Sequence, residues 1–140
     1  MSERYTGRVA ATVIPRTGEE RYFLVARRND NGDWEFPGGK EHVDEDSLYT
    51  AEREMDEEFS IEVTAVKSKP DYIWKGGEYD IIPVYAEHMY RDMEKVIDEE
   101  LLTDHSEYTW IDTENLGTNL ENAREKLGEE IKALEAFDLL

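Results

Sequence analysis

Glu54, Glu57 and Glu58 follow one another at i, i+3 and i+4, with Arg53 beside the first and the pair Gly38-Gly39 upstream. If this stretch is helical, the three carboxylates converge on one face. Acids that close repel one another and hold their protons to higher pH unless a cation neutralises them. Hard oxygen ligands of this kind suit magnesium, with manganese as the alternative, better than zinc. The chain has no cysteine and three histidines, which leaves no zinc constellation. The competing reading is a solvated acidic face, since Asp and Glu make up 35 of 140 residues. An arginine on such a face is by itself usually a surface ion pair. The joint arrangement of carboxylates, Arg53 and a glycine pair weighs against that reading.

The carboxylates need a helix and the glycines a turn. Residues Ser47 to Phe59 contain neither Gly nor Pro, and Leu48, Ala51, Met55 and Phe59 recur at spacings of three, four and four. That spacing predicts a helix with one apolar side and the acids beside it. Gly38 and Gly39 let the backbone approach a ligand closely, and Pro37 stiffens the lead-in.

Read as a pattern, the segment is Gly39, five residues, Glu45, seven residues, Arg53-Glu54-Met55, one residue, Glu57-Glu58, one residue, Ser60-Ile61. It resembles the box of the Nudix hydrolases, G-x5-E-x7-R-E-U-x-E-E-x-G-U, at every fixed position but one, where Ser60 replaces glycine. Trp34-Glu35-Phe36-Pro37-Gly38-Gly39-Lys40 is similar to the lead-in of the MutT-like branch. The resemblance implies that Glu54, Glu57 and Glu58, with the carbonyl of Gly38, hold the metal. Arg53 would orient a metal-binding glutamate, Gly39 and Lys40 would face the substrate, and Lys40 would meet a phosphate oxygen. Glu54 or a distal carboxylate would take the proton of the attacking water. Asp104, with His105 and Glu107, precedes the Trp110 strand where relatives carry a further acidic or histidine group that reaches the metal. Trp74, Tyr72 and Tyr79 could stack on a base, although aromatic residues in strands are more often core.

The implied function is a magnesium-dependent pyrophosphohydrolase acting on a nucleoside diphosphate linked to another group, with an oxidised or ordinary nucleoside triphosphate as the favoured substrate. ADP-ribose, nucleotide-sugar or dinucleoside polyphosphate hydrolysis is the alternative, as is a non-catalytic nucleotide sensor. The implied fold is an α/β/α sandwich with a mixed β-sheet packed between helices. Two departures stand out. Ser60 falls where a left-handed glycine normally ends the helix. Between Gly39 and Glu45, the chain lacks the aliphatic residue after the lysine and the glycine before the glutamate that MutT-like relatives tend to carry.

Elsewhere, Arg8 to Ile14 and Tyr22 to Ala26 read as strands joined by a turn at Arg16-Thr17-Gly18-Glu19, with another turn at Asn29-Asp30-Asn31-Gly32. Ile61 to Val66 and Tyr108 to Ile111 read as strands. Tyr72 to Trp74 and Tyr79 to Glu87 read as a hairpin around Gly76-Gly77, with Pro83 implying an edge or a bulge. From Leu120 to Phe137 the apolar spacing is helical, with Asn119 as N-cap. One domain spanning residues 1–140 is expected, with no repeat or linker.

No stretch approaches the ~20 apolar residues of a membrane span, and the polar N-terminus lacks a signal-peptide run, so a cytoplasmic monomer or homodimer is expected. The net charge of -19 argues against a nucleic-acid polymer as partner, since phosphate backbones are bound by basic surfaces, but not against a small nucleotide bringing its own divalent ion. This dispersed acidity resembles that of cytosolic proteins from salt-loving microbes. Carboxylate repulsion acts over roughly 10 Å at 0.1 M salt and 3 Å at 1 M. The melting temperature is therefore expected to rise steeply from low to molar potassium chloride. A flat salt response in thermal melts would reject the halophile reading.

Overall fold

The computed structural model describes residues 4–16, 19–88, 90, 96–113 and 131–139. Its elements are β1 (Tyr5–Val13), β2 (Pro15–Arg16), β3 (Glu19–Arg28), β4 (Trp34–Glu35), β5 (Gly38–His42), α1 (Ser47–Phe59), β6 (Thr64–Ser68), β7 (Trp74–Gly76), β8 (Tyr79–Glu87), β9 (His105–Asp112) and α2 (Ile131–Ala136). One sheet is mixed, in the order β5-β1-β8-β6, with β7 also paired to β8. Within it β1 and β8 run parallel, and their neighbours pair antiparallel. The second sheet places β2, β4 and β9 antiparallel to β3.

Near-continuous apolar runs in the strands require burial on both faces. Ala11 and Val13 of β1 join Phe23 and Val25 of β3 in one cluster with Ile131, Ala133 and Leu134 of α2. The alternate residues turn the other way. Leu24 and Ala26 pack with Met55 and Phe59 of α1, and Ala10 packs with Ala51. Period-two alternation thus places α1 and α2 against opposite faces, which makes the α/β/α sandwich.

Helix α1 has the predicted bounds. Its N-cap is Asp46, whose side chain accepts the Tyr49 N–H at 2.8 Å. Ser60 ends it in the left-handed conformation at φ 56°, its N–H bonded to the Asp56 carbonyl. A non-glycine residue there costs roughly 1 kcal/mol, while the side chains of the site lie earlier and are untouched.

Several boundaries differ from the sequence reading. The strand expected at Ile61 to Val66 begins at Thr64, because Ile61 and Val63 leave the helix as irregular chain buried against α1. Tyr72 closes a 3-10 turn, Pro70–Tyr72, instead of opening a strand, with proline favouring that turn at its first position. Pro83 lies in a strand with neighbours on both sides, not at an edge. Its missing N–H falls where β6 has ended, at Ser68 opposite Val84, and β7 has yet to begin, at Trp74 opposite Ile81. The bulge is in β6, between Ala65 and Lys67. Gly38 and Gly39, expected in a turn, open strand β5, which runs to His42. Of the terminal helix, Ile131–Ala136 is helical, and Asn119 and residues 120–130 lie outside the described residues, as do Thr17 and Gly18.

Candidate active site

Packing of β5 on α1 builds the site. Gly38 and Gly39 are required there by space. A Cβ on Gly38 would stand 1.8 Å from the Ala10 carbonyl oxygen, and one on Gly39 would stand 2.2 Å from the carboxyl carbon of Glu54. The strand can therefore press its backbone directly on the acidic turn of the helix.

Arg53 holds that turn together. Its Nε and Nη2 donate to the two oxygens of Glu45 at 2.6 and 3.0 Å, a bidentate pair. Its Nη1 donates to Glu54 at 2.9 Å and to Glu57 at 3.0 Å, and Nη2 also reaches the Lys40 carbonyl at 2.9 Å. Glu45 further accepts the His42 N–H and the Thr50 hydroxyl. Burial pushes the Glu45 carboxyl up, but Arg53 and these donors bring it down to about 2. Glu54 moves the other way. Burial raises its pKa more than Arg53 lowers it, and the Glu57 and Asp104 carboxylates add to the rise.

Glu58 stands in a different environment. Its Oε1 accepts from the N–H groups of Thr103 and Asp104 at 3.2 and 3.0 Å and from His105 Nδ1 at 3.2 Å, while Oε2 accepts the Thr103 hydroxyl. Burial favours its neutral form, but these donors hold it below the usual carboxylate range. His105 bridges onward through Nε2 to Glu35 at 2.9 Å. Burial disfavours the imidazolium, yet the carboxylates on its two nitrogens raise its pKa. The resulting chain, Glu58–His105–Glu35, ties α1 to β9 and β4.

Glu54, Asp104, His105, Lys40, Tyr5 and Tyr79 line a cleft of about 560 Å³, with Gly38 and Gly39 in its wall. Asp104 thus shares the cleft with Glu54. Glu57 is not among the residues that line the cleft; 58 % of its side chain is exposed, and it is bound to Arg53. Lys40 carries its ammonium 5.1 Å from the Tyr79 ring centre and 5.5 Å from that of Tyr5. Trp74 is not brought to the site. It is 6 % exposed in the core with Phe36 and Ile81, because β7 turns its ring inward. Tyr72 is exposed on its 3-10 turn. Arg28, Thr103 and the lead-in residue Glu35 also line the cleft, and nothing in the local spacing of Tyr5, Arg28 or Thr103 marks them. They arrive through strand pairing and the Asn29 side chain, which donates to the Thr103 carbonyl.

The chemistry of the donor set fits a hard divalent ion. Two carboxylates, Glu54 and Glu57, share one guanidinium nitrogen, and the half-buried Glu54 has a raised pKa that a cation would relieve. Among the described residues no three His, Asp or Glu side chains stand close enough together to hold an ion. Arg53 draws Glu54 and Glu57 to itself, and Glu58 is taken up by residues 103–105.

A sequence model of the NUDIX domain matches residues 6–134. Among solved structures the chain is similar to a MutT protein from Methanosarcina mazei Go1, at 23 % identity and TM-score 0.66, covering 99 % of this chain and 96 % of that one. It is also similar to a C. elegans Ap4A hydrolase, at 22 % identity and TM-score 0.60, covering 94 % of each. A third similar structure is a bifunctional NMN adenylyltransferase/ADP ribose pyrophosphatase from Francisella tularensis complexed with AMP and a Mn ion. It is 17 % identical with TM-score 0.62, covering 96 % of this chain and 41 % of that one. No curated protein matches the chain. No helix among the described residues is long and apolar enough to cross a membrane.

Proposed function

Since the chain belongs to the NUDIX family of hydrolases acting on pyrophosphate bonds, we propose that it is a magnesium-dependent, cytoplasmic enzyme that cleaves a nucleoside triphosphate, oxidised or ordinary, to monophosphate and pyrophosphate. The observation that carries this reading is the single guanidinium of Arg53 holding Glu45, Glu54 and Glu57 beside the bare backbone of Gly39. The Trp34 to Lys40 lead-in favours a triphosphate over the ADP-ribose and dinucleoside polyphosphate substrates named for similar structures.

The residues divide the work. Glu54 and Glu57, with the Gly38 carbonyl, would hold the ion, and Glu58 would join them only by releasing the donors of residues 103–105. Bound there, the ion supplies charge neutralisation for the phosphates and a lowered pKa for a water. Arg53 and Glu45 fix the direction of Glu54. The Glu54 carboxylate accepts a proton from water as its oxygen attacks phosphorus and the bridging P–O bond breaks, the electron pair leaving with the departing phosphate. Asp104 shares the cleft, and its proximity adds to the raised pKa of Glu54 that a cation there would relieve.

The test is a comparison of catalytic efficiency on purine triphosphates, dinucleoside polyphosphates and ADP-ribose, with product analysis and with magnesium present or chelated. A purine triphosphate is expected to lead, with activity only in the presence of the ion. ADP-ribose or a dinucleoside polyphosphate ahead would overturn the substrate ranking, and phosphate release in chelator would overturn the metal dependence.

A further inference from the structure

Asp104 enters the cleft just ahead of β9, where the ladder between β9 and β3 is irregular. Arg27 pairs with Glu107 and Arg28 with His105, so Ser106 is an extra residue, a bulge that re-aims the chain before it. The peptide units of Thr103 and Asp104 are then held from two sides. Toward α1, their N–H groups donate to Glu58 at 3.2 and 3.0 Å. Toward the β3–β4 turn, their carbonyls accept from Asn29, Thr103 from the side-chain amide at 2.8 Å and Asp104 from the backbone N–H at 3.0 Å. The turn that presents Asn29 is braced within itself. Gly32 N–H donates to the Arg28 carbonyl, Asp33 N–H to the Asn31 side chain, and the Arg28 guanidinium to Asp30. The Asp104 carboxylate so placed stands close enough to Glu54 to add to its raised pKa.

We infer that Asn29 is a positioning residue for the hydrolytic reaction, clamping the Thr103 and Asp104 peptides so that the Asp104 carboxylate stays in the cleft beside Glu54. This rests on the hydrolase reading of that cleft. A turn asparagine that serves local conformation alone bonds within its turn, as Asn31 does. The Asn29 side chain instead reaches a carbonyl 74 residues away. Its grip is also independent of Glu58. The two residues hold opposite ends of the same peptide units, so Asn29 keeps its bonds if Glu58 leaves the N–H groups to join the ion. The hold matters because misplacing a reacting-site group by about 1 Å can cost on the order of 100-fold in rate.

The test is Asn29→Ala, alone and combined with Asp104→Asn. Steady-state kinetics on a purine triphosphate are measured with magnesium, and residue-resolved amide exchange without it. Asn29 is exposed, so its truncation leaves the core intact. Asn29→Ala is expected to lower kcat about tenfold, the scale of one hydrogen bond, with KM within about twofold. Exchange of the Thr103 and Asp104 amides should quicken by about the same factor, while that of α1 is unchanged. Asp104→Asn should lower kcat too, and adding Asn29→Ala to it should then cost less than about twofold more, because Asn29 acts through Asp104. An equal loss in both backgrounds, a raised KM at native kcat, or native kcat in either single variant would overturn the inference. So would unchanged exchange at the two amides. That measurement needs no turnover, so it remains decisive if no triphosphate is hydrolysed and the hydrolase reading itself fails.

Discussion

Glu54→Gln is expected to lower kcat by at least ~100-fold, the scale on which a general base or an electrostatic group acts. The substitution keeps the shape of the side chain and an oxygen to accept from Arg53 Nη1, so Arg53 need not release Glu45. What it removes is the basic carboxylate against Gly39, the half-buried acid on α1 whose pKa is pushed up. The fold should be retained, because the change deletes a charge whose burial is itself unfavourable. Steady-state kinetics at saturating magnesium, alongside a thermal melt, separate the two effects. Near-native turnover in a folded Glu54→Gln protein would remove this residue from the reaction.

Glu45→Gln should act on stability instead. The Glu45 side chain is 5 % exposed and its carboxyl is held at about 2 by Arg53, His42 and Thr50. From the ordinary carboxylate value of 4.5, that depression corresponds to about 3 kcal/mol. The sign follows from the lowered folded-state pKa. The contribution is present above the unfolded-state pKa and is lost as pH falls from about 5 toward 2. The variant should therefore be about 3 kcal/mol less stable at neutral pH, a drop of roughly 10 °C in Tm. Its stability should also fall less steeply than that of the native protein below pH 5. Denaturant titrations of both proteins across pH 7 to 2.5 measure the difference. Parallel pH profiles would mean that the Arg53–Glu45 pair contributes little to folding.

One box of residues thus contains two kinds of acid. Glu45 is surrounded by donors and is stable as a charge. Glu54, nine residues later on the same guanidinium, faces a glycine backbone and other carboxylates. Spacing alone treats them alike, and the groups packed around each one separate them, donors at Glu45 and carboxylates at Glu54.

Much of this was legible in local patterns. The bounds of α1 follow from apolar spacing and from the absence of Gly and Pro between Ser47 and Phe59. The cores of β1, β3, β8 and β9 follow from runs of β-branched, aromatic and small apolar residues, because these interactions reach only a few residues along the chain. The box also identified the turn that brings Arg53, Glu54 and Glu57 together, since Glu57 stands four residues after Arg53 and three after Glu54, the spacings that are neighbours on any helix.

What the tertiary structure alone decided depends on contacts between residues far apart in sequence. β5 has little strand character of its own and forms because β1 offers it a ladder from Gly38 to His42. Trp74 and Tyr79 are both aromatic and flank one hairpin, yet Trp74 is buried in the core and Tyr79 lines the cleft. Glu58 looks equivalent to Glu57 in the box, but Thr103, Asp104 and His105 claim its oxygens from 45 to 47 residues away. The amino-acid sequence thus determined which groups are available and which of them share a helix. Long-range pairing decided which face, which partner and which protonation state each one has, because desolvation and hydrogen bonding are set by whatever the fold packs against a side chain.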